Sequence, residues 1–176
     1  MGLARSHGFT PDPPLYENPN LGSGYLEPIT LGFNYRMTEL QAALGLTQMQ
    51  RLTKIVDRRT AIAARYDQIL ANFPVQRPIQ DPSTGSSWHL YVIQVPQNYH
   101  SQIFDDLKTA GIGVNLHYIP VHTHPYYRSM GFKLGQFPNA ESYYSKSISI
   151  PLYFGLDEKD QDRVCATLEQ SLLRIT

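Results

Sequence analysis

Between Thr38 and about Phe73 apolar residues recur at near-helical spacing: Leu40, Leu44, Leu52, Ile55, Val56, Ile62, Tyr66, Ile69 and Leu70. Thr38 and Gln41 have the spacing of a capping box, and Pro74 stops the run. One continuous helix of this length would span roughly 50 Å at about 1.5 Å per residue. Gly45 is the expected bend, since glycine is the weakest helix former in it. The basic residues Arg51, Lys54, Arg58, Arg59 and Arg65 are expected to solvate one side of the helix rather than form a binding face. Residues 1 to 37 carry Pro11, Pro13, Pro14, Pro19 and Pro28 with Gly22 and Gly24, a spacing that leaves no room for an independent core. Such an arm needs something to lie against: the small domain, a further domain or another subunit.

Beyond Pro74 the pattern alternates. Trp88 to Val95 is rich in aromatic and branched residues and ends at Pro96, which predicts a strand. Ser101 is placed to cap a helix through about Ala110, with Ile103, Phe104 and Leu107 on one face and Gly111 as its stop. Gly113 to Tyr118 reads as a second strand, Asn139 to Ser145 as a short helix, and Ile148 to Leu152 as a third strand closed by proline. Asp157 caps a final helix whose buried side is Val164, Leu168, Leu172 and Ile175. This alternation predicts an α/β (α+β) layer of helices against one small sheet, without fixing the strand order.

Composition narrows the function classes. An apolar content of 41% with 17% charged residues is that of a folded globular chain. Fifteen basic residues balance fifteen acidic ones, so no overall field favours nucleic acid or an anionic membrane, and neither partner is expected. Cys165 is alone, which excludes an internal disulfide. No apolar run approaches the roughly 20 residues of a membrane span, and the start lacks a signal-peptide core, so a cytoplasmic location is expected.

The densest chemistry lies in the loop from His117 to Arg128, which holds three of the six histidines and three tyrosines. A metal site built from His117, His122 and His124 is disfavoured, because no cysteine or carboxylate is near and Pro120 and Pro125 break any regular ligand spacing. No serine or cysteine sits in a nucleophile motif, and Cys165 reads as packing. The residues alone leave two readings open: a loop facing a sugar or nucleotide base, and a packed loop with hydrogen-bonded histidines.

The segment Gly32-Phe33-Asn34-Tyr35-Arg36-Met37-Thr38-Glu39-Leu40-Gln41-Ala42-Ala43-Leu44-Gly45 resembles the stretch following the cofactor lysine in sugar aminotransferases of the DegT/DnrJ/EryC1/StrS family, which use pyridoxal phosphate. Further similar blocks follow the family order: Arg5 to Gly8, Gly111 to Tyr118, His122 to Arg128, and Ile150 to Leu152. Within the family the likeness is to 4-aminotransferases acting on UDP-linked 4-keto-6-deoxy-N-acetylhexosamines, including that of the pseudaminic-acid pathway.

The resemblance implies the small C-terminal domain of the type I aminotransferase fold, preceded by an arm and a long connecting helix. Residues 1–45 would be the tail of the large cofactor domain, and 46–176 the connecting helix and small domain. Asn34 matches the asparagine that reaches the pyridoxal phosphate group across a homodimer. Arg36 matches a position suited to the substrate's diphosphate, and Tyr25, His117, Tyr118 and His122 are further candidates for holding the nucleotide sugar. The partners implied are a UDP-linked sugar, an amino-acid donor, an N-terminal cofactor-domain polypeptide and a second copy of the chain. None of Lys54, Lys108, Lys133, Lys146 and Lys159 lies in the context of the Schiff-base lysine, which is expected upstream of residue 1. No catalytic residue is therefore assigned, and the chain alone is expected to bind no cofactor and to be inactive. The alternative is a noncatalytic binding or dimerisation module derived from the same family.

Overall fold

The computed structural model describes residues 2–10, 12–17 and 26–174. The chain forms two compact units, Met1–Arg51 and Leu52–Thr176.

The first unit holds α1 (Gly2–Arg5), β1 (Phe9–Thr10), β2 (Glu27–Pro28) and α2 (Glu39–Gln50). β1 and β2 pair antiparallel, Phe9 opposite Pro28 and Thr10 opposite Glu27. Among the described residues no hydrophobic side chain of this unit is buried. Its order comes from the backbone instead. Phe33 N–H donates to the Ala4 carbonyl at 2.7 Å, Tyr35 N–H to Arg5 at 2.9 Å and His7 N–H to Phe33 at 2.9 Å. Two glycines permit this approach. A Cβ on Gly8, whose φ is +76°, would lie 1.7 Å from the Thr30 carbonyl oxygen, and one on Gly32 would lie 2.4 Å from the Gly8 nitrogen.

The capping box forms: Thr38 Oγ1 accepts from Gln41 N–H at 3.3 Å, and Gln41 Oε1 accepts from Thr38 N–H at 3.1 Å. The helical run breaks at Arg51 rather than Gly45. Arg51 turns its N–H to the Gln48 carbonyl at 3.0 Å, closing α2 with a tighter turn. Gly45 stays helical, in open surroundings that make no use of its freedom.

The second unit contains α3 (Leu52–Ile69), β3 (Tyr91–Gln94), α4 (His100–Thr109), α5 (Pro125–Ser129), α6 (Pro138–Tyr144), β4 (Ser147–Ile150) and α7 (Glu158–Leu173). β3 and β4 pair antiparallel with Ile93 opposite Ile148. Ile62, Tyr66 and Leu70 from the α3 region, Tyr91 and Ile93 from β3, Ile103 and Leu107 from α4, Ile148 from β4, and Leu168 from α7 meet in one core. Two buried polar side chains find main-chain partners: Tyr66 Oη donates to the Pro151 carbonyl at 2.9 Å and Gln161 Nε2 to the Ile62 carbonyl at 3.0 Å. Burial pushes the Cys165 thiol up to about 11, as suits a packed cysteine.

Several expectations shift. The first strand is shorter than Trp88 to Val95. α4 starts at His100 after a 3₁₀ turn over Gln97–Tyr99, so Ser101 falls inside the helix and does not cap it. Gly113 to Tyr118 is no strand but a single bridge from Asn115 to Ser149, since Leu116 N–H turns to the Asn115 side chain at 2.8 Å instead of a ladder. Asp157 caps α7 through Asp160 N–H at 2.7 Å, while Ile175 lies outside the described residues. Three of the basic residues on α3 also do more than face solvent. Arg58 donates to the Leu156 carbonyl at 2.5 Å, Arg59 to those of Trp88 at 2.7 Å, His89 at 2.5 Å and Leu152 at 3.3 Å, and Arg65 pairs with Asp162 at 2.7 Å. A guanidinium has donors enough to hold several carbonyls at a helix–loop junction at once.

Candidate functional site

The segment Phe33 to Arg36 runs extended beside Ala4 to Ser6, with Ser6 and Asn34 bridged antiparallel. In such a segment successive side chains take opposite faces. Phe33 and Tyr35 stack, centroids 4.9 Å apart at 13°, which leaves the other face to Asn34 and Arg36. Asn34 is exposed, and its side-chain amide makes no hydrogen bond among the described residues, so it is available to donate to a phosphate oxygen.

Arg36 lines a cavity of about 680 Å³ with Leu3, Arg5, Ser6, His7 and Phe9. Neither Arg5 nor Arg36 has an ion-pair partner among the described residues. His7 holds a φ of +59°, a conformation uncommon for a residue with a side chain, and the Phe33 and Leu3 carbonyls fix this turn by accepting from His7 and Gly8 N–H. Among the described residues no carboxylate lines the cavity, so the residues that do line it fit an anionic group and offer nothing for a pyridine nitrogen.

His117, Tyr118 and His122 belong to the second unit. His117 Nδ1 is 2.7 Å from Ser149 Oγ, and its ring meets the exposed Tyr118 edge-on at 4.6 Å. His122 is buried, with Nε2 2.8 Å from Glu141 Oε1 and its ring 4.7 Å from that of Phe137. Glu141 also accepts from Gly135 N–H at 2.8 Å and Phe137 N–H at 3.4 Å. Burial works to raise the Glu141 pKa, but hydrogen bonds from His122, Gly135 and Phe137 outweigh it and hold the carboxyl below its ordinary value. Beside this pair lies an apolar cavity of about 390 Å³ lined by Val121, His122, Tyr127, Phe132 and Phe137. Among the described residues no three metal-ligating side chains converge. Tyr25 lies outside the described residues.

The structure thus joins Arg36 to Arg5 and His7, and gives His117 and His122 separate polar partners. Glu141 was not anticipated, because it is 19 residues from His122 and no short motif links them. Arg5 and His7 lie in the block Arg5 to Gly8, which by sequence carried resemblance but no role.

The helix-on-sheet unit and the segment that precedes it match a fragment of the pyridoxal-phosphate-dependent aminotransferase fold. The chain belongs to the DegT/DnrJ/EryC1/StrS aminotransferase family, whose family model matches residues 3–169. It is 39% identical over 150 residues to the spore coat polysaccharide biosynthesis protein SpsC of Bacillus subtilis, covering 81% of this chain and 39% of SpsC. It superposes on Spr1654 of Streptococcus pneumoniae, assigned as a sugar aminotransferase, with a TM-score of 0.85 at 28% identity, covering 99% of this chain and 42% of that one. Helicobacter pylori PseC, an aminotransferase of pseudoaminic acid biosynthesis, gives 0.83 at 26% identity, covering 99% and 45%. Spr1654 is also known in PLP- and PMP-forms. The chain spans about two fifths of the length of these relatives. Among the described residues no helix is long and apolar enough to cross a membrane.

Proposed function

We propose that this chain is the C-terminal portion of a pyridoxal-phosphate-dependent nucleotide-sugar aminotransferase serving amino-sugar and cell-surface polysaccharide synthesis. The observation that carries this reading is one backbone-locked segment on which Asn34 is exposed and Arg36 lines a cavity together with Arg5. Bound pyridoxal phosphate would supply the electron sink for moving an amino group from an amino-acid donor to a sugar ketone. Asn34 would donate its amide to the cofactor phosphate without adding charge. Arg36 would hold the substrate's diphosphate, where a planar guanidinium donates two parallel hydrogen bonds. Tyr25, His117 and Tyr118 are proposed to face the nucleotide sugar, of the UDP-linked 4-keto-6-deoxy-N-acetylhexosamine class. His122 would act there through its ring, since Glu141 occupies its Nε2. The covalent anchor is proposed to come from an N-terminal cofactor-domain polypeptide, because all five lysines belong to Leu52–Thr176.

Mixing the chain with such a partner, pyridoxal phosphate, an amino-acid donor and a UDP-linked ketosugar tests this. Amino transfer by the mixture, lost with Asn34→Ala, is expected, and the chain alone gives none. An inactive mixture beside an active intact relative would sink the reading.

A second reading, a noncatalytic dimerisation or binding module, draws on α2. None of its twelve residues is buried, and Leu40 is 83% exposed and Leu44 64%. Sedimentation separates the two: self-association with no gain of activity on adding the partner favours the module.

A further inference from the structure

We infer that the cavity beside His122 is a binding site for a small phenol, a flat apolar ring whose hydroxyl donates to His122 Nδ1. The inference goes beyond the aminotransferase reading, in which His122 contributes only its ring, and does not depend on it.

The hydrogen bonds of His122 set the polar end of the site. The residue is buried to all but 7% of its surface, and its Nε2 lies 2.8 Å from Glu141 Oε1. The same carboxyl accepts from Gly135 N–H at 2.8 Å and from Phe137 N–H at 3.4 Å, bonds that favour its ionised form. An ionised carboxylate can only accept, so the proton between the two groups belongs to Nε2. In the neutral ring this leaves Nδ1 as an acceptor, and among the described residues nothing donates to it. A buried acceptor without a partner costs free energy until a donor reaches it.

The walls decide what carries that donor. The cavity, about 390 Å³, is lined by His122 with Val121, Tyr127, Phe132, Phe137 and Ala140. The rings form a connected set: the Phe132 centroid lies 6.3 Å from those of both Tyr127 and Phe137, and Phe137 lies 4.7 Å from His122. Tyr127, Phe132 and Phe137 each stay more than a third exposed, so the set has apolar surface left to cover. A flat aromatic ligand covers it by edge or offset stacking. Tyr127 brings a hydroxyl that both donates and accepts, so it selects no ligand by itself, whereas Nδ1 selects a donor. Among the described residues no Lys, Arg, Asp or Glu lines the cavity, and a charged ligand would lose its water there without compensation. A peptide would likewise leave its amide groups unpaired against these walls, which assigns the site to a free small molecule. The volume lies within the range of small-molecule sites.

Titration of the full 176-residue chain at mildly alkaline pH with p-cresol, 4-methylanisole and toluene, followed by NMR, tests this. The three share one ring and differ in the donor. p-Cresol is expected to bind about tenfold more tightly than the other two, roughly what one hydrogen bond contributes. Long-range proton–nitrogen correlation spectra should show His122 protonated on Nε2 and bare on Nδ1, with the Nδ1 signal moving as p-cresol is added. His122→Phe keeps the wall and removes the acceptor, so p-cresol should fall to the level of toluene. Ala140→Leu leaves the His122–Glu141 pair in place and fills the cavity. It should weaken all three ligands about tenfold or more, and it is the second variant if His122→Phe does not fold. Lys159→Ala should bind as the parent does.

Equal binding of p-cresol and 4-methylanisole, no binding of p-cresol, or a proton on Nδ1 in the free chain overturns the inference. So does p-cresol binding that neither cavity variant changes. N-acetyltyrosinamide binding more tightly than p-cresol overturns it in favour of a peptide. Displacement of p-cresol by UDP-N-acetylglucosamine overturns it as well, by giving the cavity to a nucleotide sugar.

Discussion

The two units are ordered by different means. Leu52–Thr176 is held by a core to which α3, α4, α7 and both strands contribute, whereas the described part of Met1–Arg51 buries no hydrophobic side chain and rests on main-chain hydrogen bonds and two glycine contacts. The contrast teaches that stability and site precision are separable here. The core unit is expected to keep its fold while the arm is altered, and the residues proposed to meet phosphate belong to the arm.

The largest test of this contrast is in the core. Leu168→Ala or Leu107→Ala should destabilise the second unit by about 2–5 kcal/mol in urea unfolding, the range for a large-to-small change at a buried site. Leu44→Ala on α2 should change the same transition by less than about 0.5 kcal/mol, as at other exposed sites. Equal losses from both would mean that the arm shares the core's stability.

Gly8→Ala comes next and acts on the other side of the divide. It places a Cβ where the Thr30 carbonyl lies, at a φ of +76°, and should cost the first unit about 1–3 kcal/mol or more. UDP binding should fall while the urea midpoint of the second unit holds, measured by calorimetry and near-UV circular dichroism on one sample.

Asp157→Ala removes the α7 cap and should cost about 1 kcal/mol of second-unit stability in the same unfolding experiment.

The smallest expected effect is one of pH. The Glu141 carboxyl is held below its ordinary value of 4.5, so its contribution is present above that pH and is lost as pH falls through the lower folded value. Thermal melting should therefore show Glu141→Gln less stable than the parent at neutral pH, with the gap closing in acid. A gap independent of pH would make Glu141 a packing residue only.

What the sequence made legible follows the range of each interaction. The Thr38 and Asp157 caps, the proline stops and the short helix from Pro138 rest on contacts within a few residues, and patterns of that length are visible in a chain. Arg58, Arg59 and Arg65 find partners 98, 29 and 97 residues away among the bonds they make, and no local pattern distinguishes an arginine bound for a distant carbonyl from one bound for water. The break at Arg51 was hidden for a related reason, because glycine marks where a helix is weak, not where its neighbours require it to stop. At the candidate site, the motif around Asn34 named the segment, but the approach of Arg5 depended on a pairing across some thirty residues that only folding reveals.

The pairing of Ser6 with Asn34 has one more consequence. Because side chains alternate along an extended segment, the backbone lock stores a parity as well as a position. Inserting one residue between Gly32 and Phe33 would exchange the faces, presenting the stacked rings where the amide and guanidinium had been. A chain edited this way would keep its shape and lose its alphabet, so for this segment counting residues matters as much as their identity.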